Sequence, residues 1–494
     1  MPEEYKQHPE SIKNQIPVRV QDRIEIFPRS VKGRFRNLKY LILALAYGVY
    51  FLLPWLRWER SVGPDQAILF DIIHRRFYIF DLTVYAQDIF WLAGFLVMAA
   101  FLLFFVTGIA GRVFCGYFCF QTLWTDVFML IERLVQGERN ARMKLHRAKW
   151  DAEKKIKIGL THLLWIFVAL LTGISFTLYW DDAPELLAKL LSGDAPFSAY
   201  ATSLFLATTT YVMAGLAREQ VCIYMCPYAR FQAVMFDQDT QVVTYDSARG
   251  ERQQGRQKPA KGMLLRERRE VAGVGDCIDC GYCVQVCPTG IDIRNGMQYQ
   301  CISCALCIDA CDTIMDSINY PRGLIRYSSE NALQDKKTRF LKPANISYGI
   351  AVLLTMAILT WSIATRSSVE LLVRQVRQPL SVVLSDGSIQ NRYQIKINNK
   401  TANTLKYRLG FQGLDAAELE LARNNEIILL PEQSNLLYVK VKQSPLQALQ
   451  SQQFFDFVLV PMASKKQGDE KLEIIHHSAV FYVPDNKLTG KHHE

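Results

Sequence analysis

The sequence predicts a multi-domain membrane protein: an α-helical transmembrane bundle of about five helices, a cysteine-rich insert and an all-β C-terminal domain. Three observations carry that expectation. Five apolar runs approach the roughly 20 residues needed to cross a bilayer. Eight of the 12 cysteines fall in two identical runs, Cys277-x-x-Cys280-x-x-Cys283-x-x-x-Cys287 and Cys301-x-x-Cys304-x-x-Cys307-x-x-x-Cys311. From residue 367 onward the texture changes to short, partly alternating β-type runs.

The chain has 494 residues, half of them apolar, yet its mean hydropathy is only +0.03. That mixture fits membrane segments joined to ordinary soluble domains. The net charge of +10 suits a membrane face or a nucleic acid. Acidic residues are interspersed among the basic ones and no recognition motif is present, so no nucleic-acid partner is expected. Every cysteine lies between Cys115 and Cys311. The cysteines divide into metal-ligand spacings with none left over, which favours redox chemistry in a reducing compartment over disulfides.

Taken in order, residues 1–36 form a polar, basic N-terminal segment, expected in the cytoplasm. The first apolar stretch begins too late for a cleavable signal. Residues 37–236 hold two transmembrane hairpins, with spans at 38–56, 89–110, 160–179 and the weaker 200–217. After the first hairpin, Leu123, Val127, Leu130, Ile131 and Leu134 share one helical face, as in an amphipathic helix at the inner membrane surface. Residues 237–272 are polar and read as a cytoplasmic linker. Residues 273–320 form the cysteine-rich domain. A basic juxtamembrane stretch and a last span at 345–364 occupy 321–366. Residues 367–494 hold six to eight strands, the count of an immunoglobulin-like β-sandwich.

Segment 133–157 carries nine Lys and Arg, whereas 181–199 carries only Lys189. The positive-inside rule then places the N-terminus and the insert in the cytoplasm and the C-terminal domain in the periplasm.

The double cysteine run is the spacing of a two-cluster bacterial ferredoxin, in which the fourth thiolate of each cubane comes from the other run. One [4Fe–4S] cluster is therefore assigned to Cys277, Cys280, Cys283 and Cys311. The other is assigned to Cys301, Cys304, Cys307 and Cys287. Zinc also binds paired cysteines, but the double spacing disfavours it. Pro288 follows the first run, and Asp312 stands at the matching place in the second.

The remaining thiols form two C-x-x-x-C pairs, Cys115/Cys119 and Cys222/Cys226, each just past a hairpin. The hairpins read as an internal repeat, Arg112…Cys119-Phe-Gln121 and Arg218…Cys226-Pro, with Phe231-Gln232 shortly after. Cysteines at i and i+4 on a helix share a face, so each pair can grip a soft ion such as Cu(I), zinc or iron. The competing reading is four buried structural cysteines. Met225 could add a thioether. His162, inside the third span, is a polar group in an apolar segment and hence a further candidate.

Gly111-Arg-Val-Phe-Cys-Gly-Tyr-Phe-Cys119, Trp124-Thr-Asp126, Glu138-Arg-Asn-Ala-Arg-Met-Lys-Leu145 and Cys222-Ile-Tyr-Met-Cys-Pro-Tyr-Ala-Arg-Phe-Gln232 closely resemble the cytochrome c oxidase accessory protein family, called CcoG, FixG or RdxA. The resemblance covers nearly the whole chain. It implies a bacterial inner-membrane protein with two [4Fe–4S] clusters. It further implies reduction of Cu(II) to Cu(I) for assembly of cbb(3)-type cytochrome c oxidase. The implied partners are that assembly machinery and copper-handling proteins; the electron donor and any homo-oligomer stay open. Copper at Cys115, Cys119, Cys222 and Cys226 belongs to this implication. Family members commonly carry Pro after both pairs, but here Phe120 follows Cys119. Rival readings are a quinol-linked polyferredoxin subunit and a redox sensor or assembly scaffold.

Overall fold

The computed structural model describes residues 25–60, 63–85, 88–259, 265–401, 403–414, 417–421, 426–444, 451–462, 466–467, 470–471 and 473–484. The N-terminal segment up to residue 24 lies outside the described residues. The principal helices are α1 Arg34–Leu52, α2 Ile89–Ala110, α3 Phe120–Gln136, α4 Ala152–Thr177, α5 Phe197–Thr210, α6 Leu306–Ser317 and α7 Pro343–Ala364. The strands discussed are β1 Ile68–Asp71, β2 Arg76–Ile79, β3 Leu82–Tyr85, β4 Val242–Tyr245, β5 Ile325–Ser328, β6 Val369–Gln375, β7 Val382–Val383, β8 Ile389–Asn399, β9 Leu405–Gln412, β10 Ala417–Leu421, β11 Glu426–Leu429, β12 Ser434–Gln443 and β13 Gln452–Pro461.

Five helical stretches, Arg34–Trp55, Ile89–Ala110, Val113–Gln136, Ala152–Thr177 and Pro343–Ala364, are long and apolar enough to cross a membrane. Four coincide with expected spans. The expected span at 200–217 is not among them, because α5 runs 14 residues and then widens into a seven-residue π-helix, Tyr211–Ala217. Val113–Gln136 qualifies instead, although it was read as a surface helix. Its buried face is mixed: Leu123, Trp124 and Phe128 join an apolar cluster with Trp165 and Ala169. Leu134 is exposed, whereas Asp126 and Glu132 are buried. Asp126 pairs with Arg36 at 3.0 Å and Lys39 at 3.4 Å. Glu132 pairs with Arg142 at 3.0 Å and with Arg218. Carboxylates buried against cationic partners, with Leu134 turned outward, fit a segment whose surroundings are lipid.

The chain divides into two compact units. The first contains Met1–Leu52, Val97–Leu178 and Leu187–Val352. Within it α4 and α5 pack antiparallel. Thr177 Oγ1 lies 3.0 Å from Ser203 Oγ, and His162 Nδ1 lies 3.0 Å from Tyr211 Oη. A Cβ on Gly173 would stand 2.1 Å from the Ser203 carbonyl oxygen, so only glycine permits this approach. Asp151 caps α4, accepting from the Lys154 amide at 2.8 Å.

The cysteine-rich domain is framed by the antiparallel pair β4–β5. Strand β4 lies in the stretch expected to be a linker. Arg269, from the same stretch, is fully buried and donates to the carbonyls of Gly275, Cys277 and Gln257. The guanidinium is retained there because backbone oxygens satisfy its donors.

The second unit contains Leu53–Leu96, Tyr179–Leu186 and Leu353–Glu494. Strands β1, β2 and β3 form an antiparallel sheet between α1 and α2, a feature the sequence reading missed. In the C-terminal region one sheet has the order β10-β12-β8-β6, with β7 on β8. The other has the order β11-β9-β13 followed by the last strand, Ile475–Tyr482. Leu405, Tyr407 and Leu409 of β9 are buried, and Lys406 and Arg408 between them are exposed, as a half-buried strand requires. Both sheets feed one apolar core. Tyr393 of β8 packs on Phe455 and Phe457 of β13 and donates to the Val480 carbonyl at 2.7 Å. The β1–β3 segment is tied to this region by polar contacts. Thr83 donates to Glu432 at 3.1 Å, and Asp88 pairs with Arg366 at 3.0 Å and Lys400 at 3.2 Å.

Candidate iron–sulfur and thiol sites

The two cysteine runs fold alike. Asp279 and Gly281 have φ of 51° and 66°, and Ser303 and Ala305 at the matching positions have 54° and 59°. Left-handed turns at the same two places curl each C-x-x-C-x-x-C loop around its own interior. Three of those four residues carry a Cβ, and such a conformation is uncommon outside glycine. The Ser303 amide points at the Cys301 sulfur at 3.5 Å.

Cys277, Cys280, Cys283 and Cys311 line one cavity. Cys287, Cys301, Cys304 and Cys307 line a second, with Cys283 at its edge. Cys307 and Cys311 sit one turn apart on α6, and the helix delivers them to different cavities. Burial pushes the Cys283 and Cys301 thiols up to about 12. It also raises Cys307 well above its ordinary value. Cys311 is raised by burial first and then by Cys283, Cys277 and Cys280. Thiolates in this setting need bound positive charge, which an iron core supplies. The nearest carboxylates are committed elsewhere. Asp276 pairs with Arg249 at 2.7 Å, and Arg294 holds Asp279 at 2.6 Å and Asp292 at 2.7 Å. An all-thiol donor set in two fours fits a pair of cubane clusters.

The C-x-x-x-C pairs do not sit on single helices, contrary to the i, i+4 expectation. Cys115 lies in a short helix, Val113–Tyr117. Cys119 is extended (φ −63°, ψ 127°) and stands at the N-cap of α3. Cys222 lies in the π-turn Val221–Met225. Cys226 is extended (φ −79°, ψ 112°) at the N-cap of helix Pro227–Met235. In both pairs the second cysteine's amide donates five residues back, from Cys119 to Phe114 at 3.0 Å and from Cys226 to Val221 at 2.8 Å. The repeat seen in the sequence is thus a repeat of backbone geometry.

The two halves interlock. Gln232 accepts from Arg112 Nε at 2.9 Å and from the Cys115 thiol at 3.4 Å. In return Gln121 donates to the carbonyls of Met213 at 2.8 Å and Arg218 at 3.2 Å. Cys222 is pushed up to about 12 by burial, with Cys119, Cys115 and Cys226 adding to the effect, so the four thiols stand within electrostatic reach of one another. Among the described residues, no three His, Cys, Asp or Glu side chains converge closely enough to hold a single metal ion.

The first pair abuts the second cysteine run. A Cβ on Gly116 would lie 2.8 Å from the Ile302 oxygen and 3.0 Å from the Cys304 Cα. Tyr117 donates to the Cys304 carbonyl at 3.2 Å. The other sequence candidates lie apart from this. His162 is held by Tyr211 and packs edge-on to Trp165. Met225 is largely exposed.

Two family profiles match the chain. Residues 217–330 match a "4Fe-4S dicluster domain", and residues 359–484 match the "IG-like fold at C-terminal of FixG". The chain is similar to protein RdxA of Cereibacter sphaeroides, with 44% identity over 401 residues, covering 79% of this chain and 83% of that one. It is similar to the nitrogen fixation protein FixG of Rhizobium meliloti, with 40% identity over 434 residues and 81% of each chain covered. Among solved structures, a FixG-related protein from Vibrio parahaemolyticus aligns at 18% identity and a TM-score of 0.21, covering 24% of this chain and 97% of that one. With five apolar helices, a dicluster domain and relatives at this identity and coverage, the chain is a multi-pass membrane protein of the FixG/RdxA family, whose role is oxidoreduction and electron transfer.

Proposed function

We propose that this protein reduces Cu(II) to Cu(I) on the cytoplasmic side of the bacterial inner membrane and so supplies copper for assembly of cbb(3)-type oxidase. The observation that carries the reading is the contact of Gly116 and Tyr117 with the loop bearing Cys304. On this reading, a thiol pair able to receive a soft ion lies beside the thiols that would hold a cluster. Cys277, Cys280, Cys283 and Cys311 would hold one cluster, and Cys301, Cys304, Cys307 and Cys287 the other. The cavity linings support this crossed assignment. The bound clusters supply one-electron redox capacity. The chain's own contribution is to bury the thiols, exclude water and hold the segment of the first helix-end pair against the second set. Copper is the substrate here. Cys115, Cys119, Cys222 and Cys226 would take it in pairs, and soft thiolates favour Cu(I), the product. Handover to copper-handling partners follows release. The Lys and Arg distribution supports a cytoplasmic cluster domain and a periplasmic immunoglobulin-like sandwich.

The test uses inside-out membrane vesicles containing pre-reduced protein, with a Cu(I) chelator as readout. The parent should reduce Cu(II) in these vesicles and not in right-side-out ones. Replacing Cys222 and Cys226 together by Ser should abolish copper binding with iron content intact, and so should replacing Cys115 and Cys119. Full activity in both double variants would remove the four thiols from the copper site.

A further inference from the structure

The segment Glu138-Arg-Asn-Ala-Arg-Met-Lys-Leu145 has no part in the chemistry proposed above. The structure divides it by helical face. Glu138 and Arg142, four apart, clamp the extended stretch around Pro28 and Ser30. Ser30 Oγ donates to Glu138 at 2.8 Å, and the buried Arg142 pairs with Glu132 and donates to the Pro28 carbonyl. The other face of the helix Arg139–Arg147 presents Arg139, Asn140, Met143 and Arg147, the i, i+1, i+4, i+8 spacing of one helical side. Those residues line three adjoining concavities of about 470, 440 and 480 Å³. In the first two of these the opposite wall comes from residues 282–290, a stretch that also carries Cys283 of one thiol set and Cys287 of the other. Arg29 holds that wall in place, donating its amide to the Gln285 carbonyl at 2.8 Å and lying 4.7 Å over the Tyr282 ring.

The groove carries a net positive charge: Glu25 and Glu138 also line it, but Glu25 pairs with His146 at 3.0 Å and Glu138 accepts from Ser30 at 2.8 Å. Among the described residues Lys32, Arg139, Lys144 and Arg147 have no carboxylate partner, and Arg139 Nε is buried without an acceptor. The rest of the half-buried Arg139 side chain stays open to the groove, where an incoming carboxylate gains a charge-assisted hydrogen bond. The positive charge is spread along three open concavities rather than focused in one closed pocket. That arrangement complements an extended acidic protein face better than a single small anion.

We propose that this groove docks an acidic, soluble electron-donor protein, which delivers single electrons to the clusters through the wall at 282–290. The donor is oxidised by one electron for each cluster reduced, and no bond is made or broken. This inference rests on the electron-transfer reading above.

The test uses full-length, cluster-loaded protein in nanodiscs of zwitterionic lipid, so that anionic headgroups contribute nothing. Chemically reduced flavodoxin, an acidic one-electron donor, is mixed anaerobically and cluster bleaching is followed. The parent should be reduced at a rate that falls steeply with salt. The double variant Lys144→Glu/Arg147→Glu, both exposed positions, should react at least about tenfold more slowly at low salt and lose the salt dependence. Reduced methyl viologen, a small cation, should bleach both proteins. Iron content is checked in each, and Lys144→Glu alone serves if the double variant loses iron. Absence of reduction of the parent by flavodoxin, or equal rates in parent and variant, overturns the docking site. Copper reduction after viologen treatment reads the function independently: if it persists while flavodoxin fails, only the groove is refuted.

Discussion

Two populations of cysteine are built in different ways. The eight of the insert reach their cavities through short loops with repeated left-handed turns, and one helix distributes the crossing thiols. All eight thiols lie within 35 residues of chain, Cys277 to Cys311. The four at the helix ends form two pairs more than a hundred residues apart, brought together by tertiary contacts. Gln232 reaches the first pair, Gln121 reaches the backbone before the second, and Gly116 permits the approach to Cys304. Local specification makes the first population legible from spacing. The second depends on the packing of two hairpins.

The largest expected effect tests the crossing. Cys311→Ser should cost about half of the roughly eight iron atoms expected of two cubanes. The loss should fall on the set of Cys277, Cys280 and Cys283, read by EPR on anaerobic protein. Cys287→Ser should damage the set of Cys301, Cys304 and Cys307. Damage in the opposite pattern would sink the crossed assignment and the view that α6 serves both cavities.

What the sequence made legible follows the same division. The cysteine spacing marked the insert, and β-type alternation marked the C-terminal strands, because both signals are local. The β1–β3 sheet was missed because its strands are only four residues each. The inward face of α3 was missed because an apolar stripe is equally compatible with lipid or with a core. Asp126 and Glu132 were the signal that could have corrected it, since two carboxylates on an otherwise apolar helix need cationic partners. The π-helical widening after α5 has no local signature, and it shortened the α-helix of the fourth expected span. The reciprocal glutamines were visible as Phe120-Gln121 and Phe231-Gln232, but their partners lie far away in sequence.

A smaller effect probes the junction of the two populations. Gly116→Val places a branched side chain where a Cβ alone would meet the Ile302 oxygen at 2.8 Å. Overpacking of this kind costs about 1–3 kcal/mol. The strain should fall on the loop of Cys301 and Cys304, so the EPR signal of the second set should broaden or diminish while that of the first is kept. Copper reduction should slow even where copper still binds. A variant with parent spectra and parent rate would mean that this contact is packing alone.

The smallest expected effect concerns the proline that the first pair lacks. A proline after Cys119 would occupy the first position of α3, where a missing N–H costs nothing because that amide has no intrahelical acceptor. Proline also demands an extended residue before it, and Cys119 at φ −63°, ψ 127° already matches Cys226 at φ −79°, ψ 112°. The backbone of the first pair is therefore set without proline, by the Cys119 amide bond to Phe114 and by the packing of Gly116. What Phe120 adds is a ring stacked on Trp124, with centroids 3.7 Å apart. Phe120→Pro should gain about 0.4–1 kcal/mol from a stiffer unfolded chain and lose about 0.5–1.5 kcal/mol of aromatic contact. The two nearly cancel, so the thermal midpoint should move by only a few degrees in either direction, with copper binding unchanged. A large rise in copper affinity would instead show that the first pair is under-organised in the parent, and the equivalence of the two cysteine turns would then fail.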